Sequence, residues 1–174
     1  STKRTRPVWS MKIPPQVGCK QEVFGRSEVR RACIPGANGM MTARSEARFF
    51  SMLAQGGELD GVRLLSKDRV ASFSEPAQPN RFDPDPTSMS TWPFLGSGGL
   101  KINEHALPQL APLFGSNTRT LWHDGAGTSV GWADPDSRLA VAICHNRMFY
   151  VDTPEKNPFL PIARAIRKAL DLPE

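Results

Sequence analysis

The sequence predicts an α/β (α+β) domain in which an antiparallel sheet carries a C-terminal helix packed on one face. Three observations carry this reading. Residues 118–147 contain three strand-like runs separated by turn residues. Asn157-Pro158 then opens an amphipathic stretch, with the proline at the first position of a helix. Upstream, a helix-period segment ends at Gly56-Gly57 and is followed by an Asp60-Gly61 turn.

The elements follow in order. Residues 1–38 show little periodicity and are punctuated by Pro7, Pro14, Pro15, Gly18, Gly25, Pro35 and Gly36, so a mostly irregular N-terminal segment is expected there, with residues 39–174 forming the folded part. Thr42 is placed to cap a helix on which Ala43, Ala47, Phe50, Leu53 and Ala54 share one buried face. Asp60-Gly61 predicts a tight hairpin turn, and Ser66 a cap for a short helix over 67–73. Residues 75–93 hold five prolines and no pattern, which predicts a long loop. Residues 95–102, Leu-Gly-Ser-Gly-Gly-Leu-Lys-Ile, predict a strand softened by glycines.

The three later strands are expected at 118–124, 129–133 and 138–146, with a Gly-rich corner at Gly125-Ala-Gly127 and a turn at Asp134-Pro-Asp-Ser137. In the last strand Leu139, Val141 and Ile143 share one face, while Ala140, Ala142 and Cys144 share the other. Both faces are apolar, so this strand is expected to be central, and Cys144 to be a small buried side chain. On the final helix Phe159, Ile162, Ile166 and Leu170 lie along one side, with Arg164, Arg167 and Lys168 elsewhere.

Composition bounds the function. The 174 residues are 39% hydrophobic and 22% charged, as in an ordinary globular domain. No apolar run is long enough for a membrane-spanning helix, and the basic start Ser1-Thr-Lys-Arg-Thr-Arg-Pro7 lacks the apolar core of a secretion signal. The net charge is +5 and the isoelectric point about 9.4. The basic residues are scattered, and no zinc spacing, recognition-helix pattern or aromatic-basic signature accompanies them, so no nucleic-acid partner is expected. Arg26, Arg30, Arg31, Arg164 and Arg167 instead offer contacts to an acidic protein neighbour. Cys19, Cys33 and Cys144 are odd in number and widely spaced, which implies neither a disulfide framework nor a zinc site. Reduced thiols fit an organelle matrix or lumen, or the cytoplasm, better than secretion. No cofactor and no metal is expected.

Two motifs carry a resemblance. The first is Gly39-Met-Met-Thr-Ala-Arg-Ser-Glu-Ala-Arg-Phe-Phe-Ser-Met-Leu-Ala-Gln-Gly-Gly57 followed by Leu59-Asp-Gly-Val-Arg-Leu-Leu-Ser66. The second is Trp122-His-Asp-Gly-Ala-Gly-Thr-Ser129. In this order they resemble the serine β-lactamase and penicillin-binding-protein-like hydrolases, in their class C and esterase-like branch. The phrasing Arg30-Arg-Ala-Cys-Ile-Pro-Gly-Ala-Asn-Gly39 is most similar to eukaryotic members. The resemblance covers roughly residues 35–172 and implies the C-terminal part of that fold, an incomplete β-lactamase-like transpeptidase fold.

The resemblance also implies site residues. The family's active-site strand carries Lys-Thr-Gly or, in the esterase-like branch, His-x-Gly, which His123-Asp124-Gly125 fits. Gly125 is where substrate would approach the strand edge, and the Ala126 backbone N–H matches the family's second oxyanion donor. Asp124 and Asn146 are candidates for binding substrate, Asn146 through an anionic substrate group. A histidine in the first position can switch roles near neutral pH. A lone His-x-Gly would more often be a strand-end histidine bonded to a neighbour. The flanking Gly-x-Gly strand and Asp-Pro hairpin tip the reading toward the family.

The family's nucleophile sits on Ser-x-x-Lys, and no Ser in these residues has Lys three positions on. Nor is there a Tyr-x-Asn or Ser-x-Asn loop, since Tyr150 is followed by Val-Asp. Ser97, Ser129 and His123 with Asp124 or Asp134 would be the parts of an independent triad, but no Gly-x-Ser-x-Gly elbow exists and such a triad is not expected. His105 and His145 show no metal spacing. Two functions follow. One is a non-catalytic accessory or structural subunit of a larger assembly, its open sheet edge covered by other protein chains or by a missing N-terminal half of the same fold. The other is the site-forming part of an active serine esterase or amidase whose nucleophile lies elsewhere. The expectation for the isolated residues is inactivity.

Overall fold

The computed structural model describes residues 21–34, 39–75, 99–103, 106, 110–125, 129–145 and 153–173. Two units separate, one of Ser1–Met41 with Pro79–Trp92 and one of Thr42–Gln78 with Pro93–Glu174. In the first, α1 (Gln21–Phe24) and α2 (Ser27–Arg31) form two short helical turns where an irregular segment was expected. Gly18 and Pro35 bound this stretch in the sequence, but the sixteen residues between them are free of both types except Gly25, enough for single helical turns.

In the second unit α3 (Ala43–Ala54) is followed by the hairpin β1 (Glu58–Leu59) and β2 (Val62–Arg63), then by α4 (Lys67–Ala71). Thr42 and Ser45 form a reciprocal cap: Ser45 N donates to Thr42 Oγ1 at 3.2 Å, and Thr42 N to Ser45 Oγ at 3.0 Å. Such a cap contributes about 1 kcal/mol. The helix ends as the double glycine requires. Gly57 has φ +96°, and a Cβ there would lie 2.2 Å from the Leu65 carbonyl oxygen. Asp60 and Gly61, at φ 51° and 78°, make the turn between β1 and β2.

The main sheet has the order β3-β4-β5-β6, all antiparallel, from β3 (Lys101–Ile102), β4 (Leu121–Asp124), β5 (Val130–Asp134) and β6 (Leu139–Ile143). Its register pairs Lys101 with Trp122, His123 with Gly131, and Gly131 with Ala142. The first part of the glycine-softened strand, 95–98, lies outside the described residues, as does the loop over 76–93.

Alternation along the strands sends side chains into two cores. On one face Trp122, Val130, Trp132, Leu139 and Val141 pack with Phe114, Leu113 and the helix α5 (Leu160–Ala169) through Phe159, Leu160 and Ala163. Phe114 stacks on Trp122, with ring centroids 4.6 Å apart, and meets Trp132 edge-on at 5.7 Å. On the other face Leu121, Ala133 and Ala140 pack under α3 through Phe50, Leu53 and Ala54, with Val70 and Phe73 beside them. Each large side chain buried this way contributes about 1.5–3 kcal/mol.

Several sequence expectations are corrected. Among the described residues β6 is the last strand of the sheet rather than a central one. Its two apolar faces arise because helices cover both sides, not because strands flank it. Met52 joins the α3 core, while Ala43 and Ala47 are only half-buried. On α5 the buried side runs through Phe159, Leu160, Ala163 and Arg167, while Ile162 and Leu170 are 46% and 56% exposed. The helix starts later than expected. Asn157 instead turns the chain into it, its Oδ1 accepting from Phe159 N at 3.0 Å. Arg167 was expected outside. Its guanidinium is buried and Nη1 donates to the Leu113 carbonyl at 2.9 Å, closing the turn before Gly115.

Two predictions follow from this packing. A Cβ at Gly131 would lie 2.2 Å from the Phe50 ring and 2.9 Å from Glu46 Oε1. Gly131→Ala should therefore lower unfolding stability by about 1–3 kcal/mol, the usual cost of overpacking. A urea titration measures it, and an unchanged midpoint would show that α3 lifts freely. The Asp134 carboxylate accepts from Asn117 Nδ2 at 2.5 Å, Ser137 Oγ at 2.6 Å, Asp136 N at 3.0 Å and Ser137 N at 3.3 Å. Burial alone would raise its pKa, but these hydrogen bonds outweigh burial and lower it below 3.8. The stabilisation is present above 3.8 and is lost as pH falls through the lower folded value. Asp134→Asn should flatten the acid limb of the stability–pH curve measured by thermal melts.

Candidate functional site

The candidate site is the end of β4. His123 is the third residue of a strand whose first two, Leu121 and Trp122, are buried, and its own side chain is exposed. Alternation puts His123 on the α3 face, with Leu121. Its cross-strand partner is Gly131, whose missing side chain leaves a notch on that face. Into the notch α3 lowers Phe50 and, one turn earlier, Glu46. Glu46 Oε2 accepts from Cys144 Sγ at 3.2 Å. One sheet face thus collects His123, Glu46 and Cys144.

Cys144 is a free, exposed thiol rather than the buried side chain expected. Burial of the sulfur and the Glu46 carboxylate beside it push its pKa up to about 11, so it is a protonated donor and a poor nucleophile at neutral pH. Cys33 is likewise a free thiol.

Asp124 points to the opposite face, with Trp122. There the Lys101 ammonium reaches over from β3, forms an ion pair with the Asp124 carboxylate and lies 4.6 Å from the centre of the Trp122 ring. Both charged side chains are largely shielded, 14% and 26% exposed. Gly125 follows, and its N–H donates to the Ser129 carbonyl at 2.8 Å, closing the corner into β5.

The histidine is electrostatically biased. Desolvation is the largest effect and lowers its pKa below 6.5. Lys101 lowers it further, while Asp124, through charge and backbone bonding, and Glu46 act in the other direction. The ring keeps solvent access, so water screens these charges, but the net direction favours neutral imidazole.

The candidates named from sequence divide cleanly. His123, Asp124 and Gly125 stand together at the strand end. Ala126 and Asn146 lie outside the described residues, as do Ser97 and His105. Asp134 belongs to no triad with His123, because both its oxygens are taken by its own turn at the far end of β5. His145 packs edge-on against Phe159 at 5.2 Å. Among the described residues no cluster of His, Cys, Asp or Glu is arranged to hold a metal ion, and no helix is long and apolar enough to cross a membrane.

Sequence reasoning missed Lys101 and Glu46. Their signals were present. Lys101 is a charge between two apolar strand residues, and Glu46 stands four positions before Phe50, on the same helix face.

Residues 2–164 match the Beta-lactamase family. The chain belongs to the beta-lactamase family. It is 37% identical over 134 residues to the esterase/beta-lactamase LipL of Mycobacterium tuberculosis (strain ATCC 25618 / H37Rv), a match covering 75% of this chain and 28% of LipL. Its fold is similar to the crystal structure of a family VIII carboxylesterase, with a TM-score of 0.64 and 26% identity over 84% of this chain and 37% of that one. It is also similar to a penicillin-binding protein homolog from Caulobacter crescentus, with a TM-score of 0.56 and 28% identity over 71% and 31% of the two chains. The chain therefore spans about a third or less of the length of LipL and the Caulobacter protein, and little more of the carboxylesterase. The serine β-lactamase and penicillin-binding-protein-like resemblance and the α/β fold class hold.

The pH behaviour of this beta-lactamase-family strand is testable. His123 should titrate below 6.5 in the folded chain, which leaves it neutral at pH 7. Protonation then opposes folding. This penalty is absent above 6.5 and grows as pH falls toward the lower folded value. Proton NMR of the imidazole, assigned with His123→Gln, reads the midpoint. A value at or above 6.5 would contradict the bias.

Proposed function

We propose that these residues form the strand-side half of a serine ester or amide hydrolase site, inert by themselves, and that they act as one part of a larger assembly. The observation that carries the reading is the exposed His123 leading into Gly125 at the end of a strand otherwise buried in the sheet. Neutral imidazole at that edge suits hydrogen bonding to a substrate carbonyl or leaving group rather than fixed-charge binding. The Ala126 N–H is the candidate second oxyanion donor. Asp124 is engaged by Lys101, which favours a positioning role for it over substrate binding. Asn146 remains a candidate for an anionic substrate group.

The nucleophile is proposed to come from a Ser-x-x-Lys segment outside these residues, on the same gene product or another chain. The likeness to LipL and to a family VIII carboxylesterase supports an ester as substrate class. A non-catalytic accessory subunit is the second reading. It is favoured by β6, an apolar strand with a single strand neighbour among the described residues, since exposed apolar edges are normally covered.

The tests separate the two. Incubated with a fluorophosphonate or penicillin probe, the 174-residue chain should gain no mass, and a stoichiometric serine adduct would overturn its inertness alone. The native transcript should carry Ser-x-x-Lys in frame upstream, or a copurifying chain should supply it. In that complete protein His123→Ala should lower kcat/KM for a short p-nitrophenyl ester by about tenfold to a hundredfold. Unchanged kinetics would remove His123 from the site. A protein with no such segment in any associated chain would leave the accessory reading.

A further inference from the structure

Lys101 lies in no part of the motif that marks the strand-edge site, yet its side chain is committed to it. Lys101 and Trp122 are direct cross-strand partners, so both point to the face opposite His123. From there the ammonium spans diagonally to Asp124, two residues along β4, while its cationic end sits over the Trp122 ring. The indole is fully buried between Phe114 and the sheet, so the lysine rests on a rigid floor. Two of the three residues held this way bracket the imidazole, since Trp122 precedes His123 and Asp124 follows it.

We propose that Lys101 is a positioning residue of the strand-edge site, clamping Asp124 from the neighbouring strand so that the end of β4 holds His123 and Gly125 in place and presents a neutralised ion pair, rather than a bare carboxylate, behind the imidazole. The proposal deepens the hydrolase reading and rests on it for its catalytic meaning. The physical need is plain. Among the described residues beyond Asp124, the Gly125 N–H to Ser129 bond ties the corner to β5. Without the clamp a partly buried carboxylate would be left uncompensated, which costs more than an exposed one. The same carboxylate adjoins His123 and would draw it toward the charged form.

Among the described residues, the charges that act on His123 are those of Lys101 from β3 and Asp124 from β4, both across the sheet, and of Glu46 from α3 on its own face, while Cys144 at the end of β6 is neutral near pH 7 because its pKa is raised. Lys101 and Asp124 act on the imidazole in opposite directions, and Glu46 acts with Asp124. Substitutions at the clamp therefore have signed effects.

The test uses the 174-residue chain and two readouts that need no catalysis: the His123 titration midpoint by NMR and the exchange rate of the Gly125 amide. Lys101→Met should raise the midpoint by about half a pH unit, the scale of one screened charge near an imidazole. It should also speed Gly125 exchange by about tenfold. Asp124→Asn should lower the midpoint, and the double variant should depart from the sum of the two single shifts, the signature of a coupled pair. Lys101→Arg, which keeps the charge, should preserve both readouts. If Lys101→Met does not fold, the Asp124→Asn and Lys101→Arg results decide alone. An unmoved midpoint with unchanged Gly125 exchange overturns the clamp whatever the probe-labelling result. A serine adduct together with the signed shifts would overturn inertness alone and leave the clamp standing.

Discussion

The close approach of α3 to the sheet at Gly131 is the constraint on which this structure depends. A helix can lie flat on a sheet only where small side chains line its track. Gly131, Ala133, Ala140 and Ala142 provide that track in β5 and β6. Phe50 fills the space over Gly131, which no other residue type would leave open. The consequence reaches the site directly. The helix turn that seats Phe50 also lowers Glu46 toward the sheet, onto Cys144 and onto the face that carries His123. Moving the helix by the width of a methyl group would move the only α3 carboxylate facing the imidazole.

The opposite face is built by volume instead. Trp122, Trp132 and Phe114 occupy most of it, and α5 closes over them. Arg167 is buried at the edge of this layer: its guanidinium packs on Gly115, where a Cβ would lie 2.4 Å from Nε, and its Nη1 donates to the Leu113 carbonyl. The arginine is thus part of the core's edge, and of the basic residues once assigned to an acidic partner it is the one withdrawn from the surface. Arg164 remains outside.

The sequence made the fold legible where local chemistry and burial agree. The Thr42 cap, the double glycine, Asp60-Gly61 and the Asp134-Pro-Asp-Ser137 turn each act within a few residues, and all stand where they were expected. What failed was long-range. Ile162 and Leu170 have the right spacing for a buried stripe, but the aromatic layer beneath α5 selects the neighbouring stripe through Leu160, Ala163 and Arg167. Apolarity on both faces of β6 suggested strands on both sides. It records two helices instead, because the α3 face needs alanines for approach and the α5 face needs branched residues for filling. At the site, His123-Asp124-Gly125 was visible as a motif. Lys101 and Glu46 were not, since strand register and helix depth, neither of which is written locally, bring them in.

The face assignment also decides what Lys101 is unable to do. A lysine near the family's active-site strand invites the idea that it replaces the lysine of Lys-Thr-Gly. Register forbids this. Lys101 pairs with Trp122 and therefore lies on the α5 face, whereas His123, at the proposed motif position, lies on the α3 face. The peptide plane of the sheet stands between the ammonium and any substrate bound at His123. Its charge acts through that plane on the protonation of the imidazole, and its contact acts through Asp124 on the path of the strand. On the hydrolase reading proposed above, a neutral ring that responds to pH stands on the substrate side with the cation behind it, an arrangement that offers hydrogen bonding in place of fixed charge and suits uncharged esters.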